Sequence, residues 1–260
     1  MYTDETWVNA NHTAQYQWHP PDPTLDRNIP TGRGQRLIVL HAGCKELGFL
    51  PDCELVFQSK SKDGRDYHTE MNGDVFLDWT ENQLLPALPN KSLVVMDNAP
   101  YHSMLALESK PPTSNSRKQV MQDWLTDMDI SFDPKLKKPQ LYDLVKANKP
   151  PPKYKVDDKI RSAGHEVLRL PPYHCNFNPI ELIWANLKSH IGIENNSFKL
   201  ADVRNMVYDG FSRITAEHWE KCVNHVINHE ERRYWKSDGL QEKVAKVIIN
   251  LESDDSDSEF

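Results

Sequence analysis

The chain has 260 residues, 38% hydrophobic and 27% charged, which excludes collagen-like, low-complexity and fully disordered classes. That length suits one large domain, or one domain with a small appendage, and can bury a core without disulfides. The net charge of −7 argues against a uniformly basic nucleic-acid binder.

Taken in chain order, Tyr2 to Thr13 alternates as a strand, with Asp4 near its start. Residues 18–34 hold four prolines and two glycines and predict a loop. Arg36–His41 and Glu54–Gln58 read as strands. Asn72 to Leu88 suits a helix N-capped by Asn72, with Phe76, Leu77, Trp79, Leu84 and Leu85 as its apolar stripe. Leu93–Met96 is a continuous apolar run ending at Asp97-Asn98-Ala99-Pro100, the pattern of a buried strand that meets a turn. Residues 109–116 form a linker.

Helices are expected at Arg117–Met128, with Val120, Met121, Trp124 and Leu125 inward, at Gln140–Ala147 and at Val156–Ala163. His165–Leu170 returns to strand character. Further helices follow at Pro179 to about His190, at Phe198–Ile214 (Leu200, Val203, Val207, Phe211 and Ile214 inward) and at Ala216–Trp235 (Trp219, Val223, Val226, Ile227 and Tyr234 inward). The acidic tail from Glu252 reads as disordered. Strands mixed with helices predict an α/β layered fold.

Charge is unevenly spread. Glu252–Phe260 carries five acids and no base, whereas Pro134–Arg161 carries nine Lys/Arg against three acids, a local +6. A local basic patch matters more to a phosphate backbone than net charge, because screening limits range to about 10 Å. The alternative is a solvated lysine-rich loop. No stretch approaches the roughly 18 apolar residues of a membrane span, and Met1–Glu5 lacks the basic and apolar regions of a signal peptide. The four cysteines form no CxxC pair and read as reduced thiols.

Three carboxylates stand out by placement: Asp4 in the first strand, Asp97 at the end of a buried strand, and Glu181 in the first turn of a helix. Carboxylates converging at strand ends would repel one another unless a cation neutralised them, and hard oxygen ligands suit Mg²⁺ or Mn²⁺. Each has a plainer reading. Asp4 fits a solvated terminus, Asp97 a turn, and Glu181 the N3 position of a capping box with Asn178 as N-cap and Pro179 at N1.

The surrounding strings are more specific. Thr3-Asp4-Glu5-Thr6-Trp7-Val8-Asn9, then Val94–Ser103 (VVMDNAPYHS), then Leu170–Lys188 (LPPYHCNFNPIELIWANLK) follow in that order. Over roughly residues 1–190 the chain resembles the catalytic domain of mariner-type DDE transposases, the DDE superfamily endonucleases. The resemblance implies an RNase H-like mixed sheet flanked by helices, with metal-dependent DNA strand cleavage and strand transfer. It implies that Asp4, Asp97 and Glu181 are catalytic and hold Mg²⁺ or Mn²⁺, as two ions, with DNA as partner, a homodimer as an assembly compatible with it, and a nuclear location. No membrane and no small-molecule cofactor is expected. Asn98, His102 and Asn178 are supporting residues; Asn98 and His102 would orient Asp97 or touch DNA, or merely satisfy a turn. Trp184 reads as core.

The expected organisation is a catalytic domain over 1–195 with an insertion at about 109–163, a helical extension over 196–236, and a short helix with acidic tail over 237–260. Lys135, Lys137, Lys138, Lys153 and Lys155 of the insertion are the candidate phosphate contacts. The two C-terminal helices would pack on the core or mediate dimerisation. Family members usually carry helix-turn-helix modules before the catalytic domain, so the chain is expected to be a fragment or a truncated or domesticated product.

The competing reading is a domesticated relative that binds DNA or chromatin without cutting. An RNase H-like exonuclease would place Asp-x-Glu on the first strand, whereas Asp4 and Glu5 are adjacent and point opposite ways. His225 and His229 have helical i, i+4 spacing but read as surface residues.

Overall fold

A computed structural model describes residues 1–14, 29–59, 71–105 and 111–238. Its centre is a six-stranded mixed sheet with the path β3-β2-β1-β5-β6 and β4 also paired to β2. β1 (Tyr2–Asn9) runs antiparallel to β2 (Arg36–Cys44), and β2 antiparallel to β3 (Gly48–Phe49) and β4 (Leu55–Gln58). β5 (Leu93–Met96) lies parallel to β1, and β6 (Glu166–Arg169) parallel to β5. The mixed sheet agrees with the expected α/β layering. β1 stops at Asn9, short of the expected Thr13, because its last paired partner, Arg36, is the first residue of β2. β2 runs three residues past the expected His41, and β3, too short to leave a periodic signal, was not foreseen.

Residues of β2 alternate between two cores. On one face Ile38, Leu40, Val94 and Met96 pack with Phe76, Trp79, Leu84 and Ile160. The helices there are α1 (Gly73–Trp79) and α5 (Lys155–Ser162). α1 begins where Asn72 was expected to cap it: the Asn72 side chain accepts from the Asp74 and Val75 amides at 3.0 Å. It continues through a π-helical stretch, Thr80–Leu84, into α2 (Leu85–Ala87). At the start of the π stretch, Thr80 Oγ1 donates back to the Phe76 carbonyl at 2.8 Å.

On the other face Leu37, Val39 and Val8 meet Ile180, Ile183, Trp184 and Leu187 of α6 (Ile180–Glu194). Trp184 is core, as expected. Val203 and Val207 of α7 (Leu200–Arg213) and Trp219 of α8 (Ala216–His225) join the same cluster, so these helices close over the sheet. Gly43 lets Trp219 approach: a Cβ there would collide with the indole and sit 2.6 Å from the Gly48 carbonyl oxygen. A second π-helical stretch, Val226–Glu231, leads into α9 (Arg232–Asp238). Ile227 and Tyr234, expected inward, are 42% and 39% exposed; the π stretch falls between Trp219 and Tyr234, breaking the 3.6-residue phase on which that stripe was built.

α3 (Lys118–Asp127) and α4 (Lys138–Asn148) pack on each other through Met121, Leu125, Leu141 and Val145. Val120, expected inward, is 47% exposed, because this two-helix contact buries a narrower stripe than a sheet would. The acidic tail, most of the proline-rich loop and part of the 109–116 linker lie outside the described residues. Among those described, no helix is long and apolar enough to cross a membrane.

Two measurements check this architecture. Trp219→Ala should cost about 3–5 kcal/mol in guanidinium unfolding, whereas a peripheral helix would lose under about 1 kcal/mol. Burial pushes the His41 imidazole down to about 3, so His41 stabilises the fold above the unfolded value near 6.5. That contribution is lost as pH falls from about 6.5 towards 3, at up to about 1.4 kcal/mol per pH unit. His41→Phe, which keeps the stack on Phe49 at 4.3 Å, should unfold with a correspondingly flatter pH dependence over that range.

Candidate active site

β5 is buried over Val94–Met96, and the chain leaves the sheet at Asp97. Asp97 Oδ1 accepts from the Ala99 amide at 2.9 Å and from His102 Nδ1 at 2.6 Å. Oδ2 takes no hydrogen bond from the described residues. His102 is fully buried, and its Nε2 donates to Glu5 Oε1 at 2.8 Å. Both ring nitrogens therefore point at carboxylates, which requires an imidazolium. Burial alone would lower the His102 pKa, but the Glu5 and Asp97 carboxylates win and push it up to about 10. Burial likewise works against the Asp97 anion; the His102 bond and charge, the Ala99 amide and Arg169 overcome it and hold the carboxyl below the usual range.

Period-two alternation on β1 separates its two acids. Asp4 lies on the face covered by α6, where its side chain hydrogen-bonds Glu181. Glu5 lies on the opposite face, only 6% exposed, with Tyr101 Oη donating to Oε2 at 3.3 Å. Burial, then the neighbouring charges of Glu5, Glu181 and Asp97, push the Asp4 carboxyl well up. Glu181 is also raised, by burial first and by Asp97, against the opposing pull of Lys188 and the Asp4 bond.

The structure thus brings Asp4 and Glu181 into contact and couples Asp97 to both electrostatically. Among the described residues no three acids, histidines or cysteines stand close enough to form a ready cation cage. The donor set is hard oxygen only, crowded with like charge, which fits Mg²⁺ or Mn²⁺ in chemistry. Asn178 sits at the same point. It is not the expected N-cap, since α6 starts at Ile180 with Pro179 in that place. Buried, it donates from Nδ2 to the Thr3 carbonyl at 3.1 Å, and its Oδ1 is a buried oxygen without a partner. Asn98 does not touch the Asp97 carboxylate; its amide donates to the Leu170 carbonyl and ties the ends of β5 and β6 together.

Sequence reasoning missed several residues. Glu5 points away from Asp4, as the alternation predicts, and that orientation is what delivers it to His102. Lys188 lies two helical turns after Glu181, a spacing that places both on one face. Its ammonium stands 4.7 Å over the Trp7 ring, is lowered by burial, and faces the Glu181 and Asp4 charges. Arg169 holds both Asp157 oxygens, at 3.1 and 2.6 Å, and donates to the His102 carbonyl at 2.8 Å. Its guanidinium also lies 4.1 Å over the Tyr154 ring. Arg169 thereby fastens the end of the basic insertion to the Asp97 loop. An open cleft of about 380 Å³ flanks Asp97, bounded by Pro100, Leu170, Tyr173 and His174. Tyr173 projects fully exposed from a left-handed backbone (φ 67°).

Of the candidate phosphate contacts, Lys135, Lys137 and Lys153 are exposed and Lys138 and Lys155 half-exposed. Elsewhere in the patch, Lys159 pairs with Glu81 at 2.7 Å and Arg161 with Asp157 at 3.7 Å. His225 and His229 are exposed, with ring centroids 4.8 Å apart.

Comparison with known proteins places this geometry in a family. Residues 1–203 match the DDE superfamily endonuclease family. Solved structures with similarity include the Mos1 strand transfer complex (14% identity, TM-score 0.41, 86% of this chain and 53% of that one). The Mos1 mariner paired-end complex with Mn gives 14% identity and TM-score 0.42, over 86% and 54% of the two chains. The Mos1 paired-end complex with the left transposon end gives 16% and 0.38, also over 86% and 54%. The chain spans about half the length of the Mos1 chains. With more than three quarters of its sequence covered by the family match, this chain belongs to the DDE superfamily endonucleases.

Proposed function

We propose that the chain is the metal-dependent DNA cleavage and strand-transfer domain of a mariner-like transposase or of a protein derived from one. The observation that carries this reading is the meeting of Asp4 and Glu181 across the end of the central strand, with Asp97 coupled to both. Asp4, Asp97 and Glu181 would hold Mg²⁺ or Mn²⁺, as one ion or two, with Asn178 Oδ1 as a neighbouring oxygen. A divalent cation bound there supplies Lewis acidity for in-line phosphoryl transfer. Lys188, facing two of the three acids, offsets their repulsion before a cation enters. Lys135, Lys137, Lys138, Lys153 and Lys155 would position duplex DNA through its backbone without reading sequence. Residues 1–195 would form the catalytic unit, with α7 to α9 as its helical extension.

A second reading is a catalytically silent DNA-binding relative, favoured by the incomplete convergence of the three acids. Supercoiled plasmid with Mg²⁺ or Mn²⁺ separates the two. The wild type should nick it, and Asp97→Asn should lower the rate at least about 100-fold while keeping the native circular dichroism. Nicking by both proteins would remove Asp97 from the site; nicking by neither would favour the silent relative. Replacing Lys135, Lys137 and Lys138 with alanine should reduce the slope of log affinity against log salt by about 3. An unchanged slope in a filter-binding titration would return the patch to a solvated loop.

A further inference from the structure

Glu5 and His102 form a buried ionic pair that the cleavage reading leaves without a task. Glu5 is 6% exposed and His102 0%, and a buried ion pair gives little net stability over apolar residues of the same volume. Both Glu5 oxygens are occupied, Oε1 by His102 Nε2 at 2.8 Å and Oε2 by Tyr101 Oη at 3.3 Å. Glu5 itself sits on β1, paired in register to Leu40 of β2. The ring of His102 is confined by Phe76 at 4.1 Å and by Tyr101 edge-on at 4.7 Å. With the ring and Nε2 so held, Nδ1 meets Asp97 Oδ1 at 2.6 Å.

We propose that Glu5 is a positioning residue: acting through His102, it locks the Asp97 carboxylate so that Oδ1 is held by protein and Oδ2 stays free for a cation. The inference rests on Asp97 being a cation ligand. A carboxylate–imidazole–carboxylate bridge anchored on the central strand sets the Asp97 rotamer from the sheet, although Asp97 lies in a loop. Outer partners of this kind commonly alter metal affinity 10- to 100-fold.

The test is Mn²⁺ affinity of the full chain without DNA, read from the free-ion signal in electron paramagnetic resonance, with unfolding midpoints in parallel. Asp97→Asn should weaken binding at least about 10-fold. Glu5→Leu, which removes the anchor and keeps the volume, should weaken it by about 10-fold or more. Glu5→Gln, whose Oε1 still accepts from Nε2, should stay within about 3-fold of wild type. In the Asp97→Asn background Glu5→Leu should add less than about 2-fold, because its effect passes through Asp97; in a Glu181→Gln background its full loss should persist. A purely structural Glu5 would move the unfolding midpoint and leave these ratios alone. Should Glu5→Leu lack native circular dichroism, His102→Asn severs the same bridge at its centre and carries the same expectation. Wild-type Mn²⁺ affinity in the bridge variant, beside a weakened Asp97→Asn, overturns the inference and leaves the site intact. Unchanged affinity in Asp97→Asn itself removes the site reading, and the inference falls with it.

Discussion

Buried negative charge needs a cation, and at the heart of this protein one imidazolium serves two carboxylates. His102 lies between Glu5 on the central strand and Asp97 at the end of the next strand, with no exposure to water. Removing the imidazolium would leave the buried Glu5 carboxylate uncompensated, a cost of about 3–5 kcal/mol. The pair therefore constrains β1, β5 and the Asp97–Ser103 turn to a single relative placement. The aromatic contacts with Phe76 and Tyr101 extend that constraint to α1.

The rest of the layering follows from β1 and β2 sitting at the middle of a sheet covered on both faces. Alternation along β2 feeds one core under α1 and α5 and another under α6, α7 and α8. The second core holds α6 against β1, and so sets Glu181 beside Asp4. Further along, Asn195 donates to the Ala10 and His12 carbonyls at 2.8 and 2.9 Å, fixing the far end of α6 to the chain that leaves β1. The close approach there needs Gly192, whose Cβ would lie 2.8 Å from the Ala14 amide nitrogen. Helix and strand are thus tied at both ends, and the carboxylate contact is a consequence of that alignment.

Charge is unevenly distributed over a chain whose net charge is −7. Lysines on the α3–α4 hairpin and on the segment that follows it face solvent, while burial and neighbouring acids raise the Asp4 and Glu181 carboxyls. Arg169 joins the two regions: it bonds Asp157 and stacks on Tyr154 at the exit of the insertion, and it donates to the backbone of the Asp97 loop.

Much of this was legible in local strings. The Asn72 cap, the β5 strand ending at Asp97, the helix carrying Glu181 and the burial of Trp184 all depend on contacts within a few residues or on a simple apolar period. The longer inward stripe ending at Ile227 and Tyr234 failed where a π-helical stretch broke that period. Asn178 was misread because its sequence position suits a cap, whereas its amide is claimed by the Thr3 carbonyl, 175 residues away. By itself, then, the sequence determined which segments are strands and helices and which acids stand at their ends, because those choices are set by neighbours along the chain. Only the tertiary structure decided that Asp4 meets Glu181, that Asp97 is held apart on His102, and that Glu5 stands behind it. Those are pairings of charges 97 or more residues apart, or of groups whose partner is chosen by competition, and no local pattern encodes them.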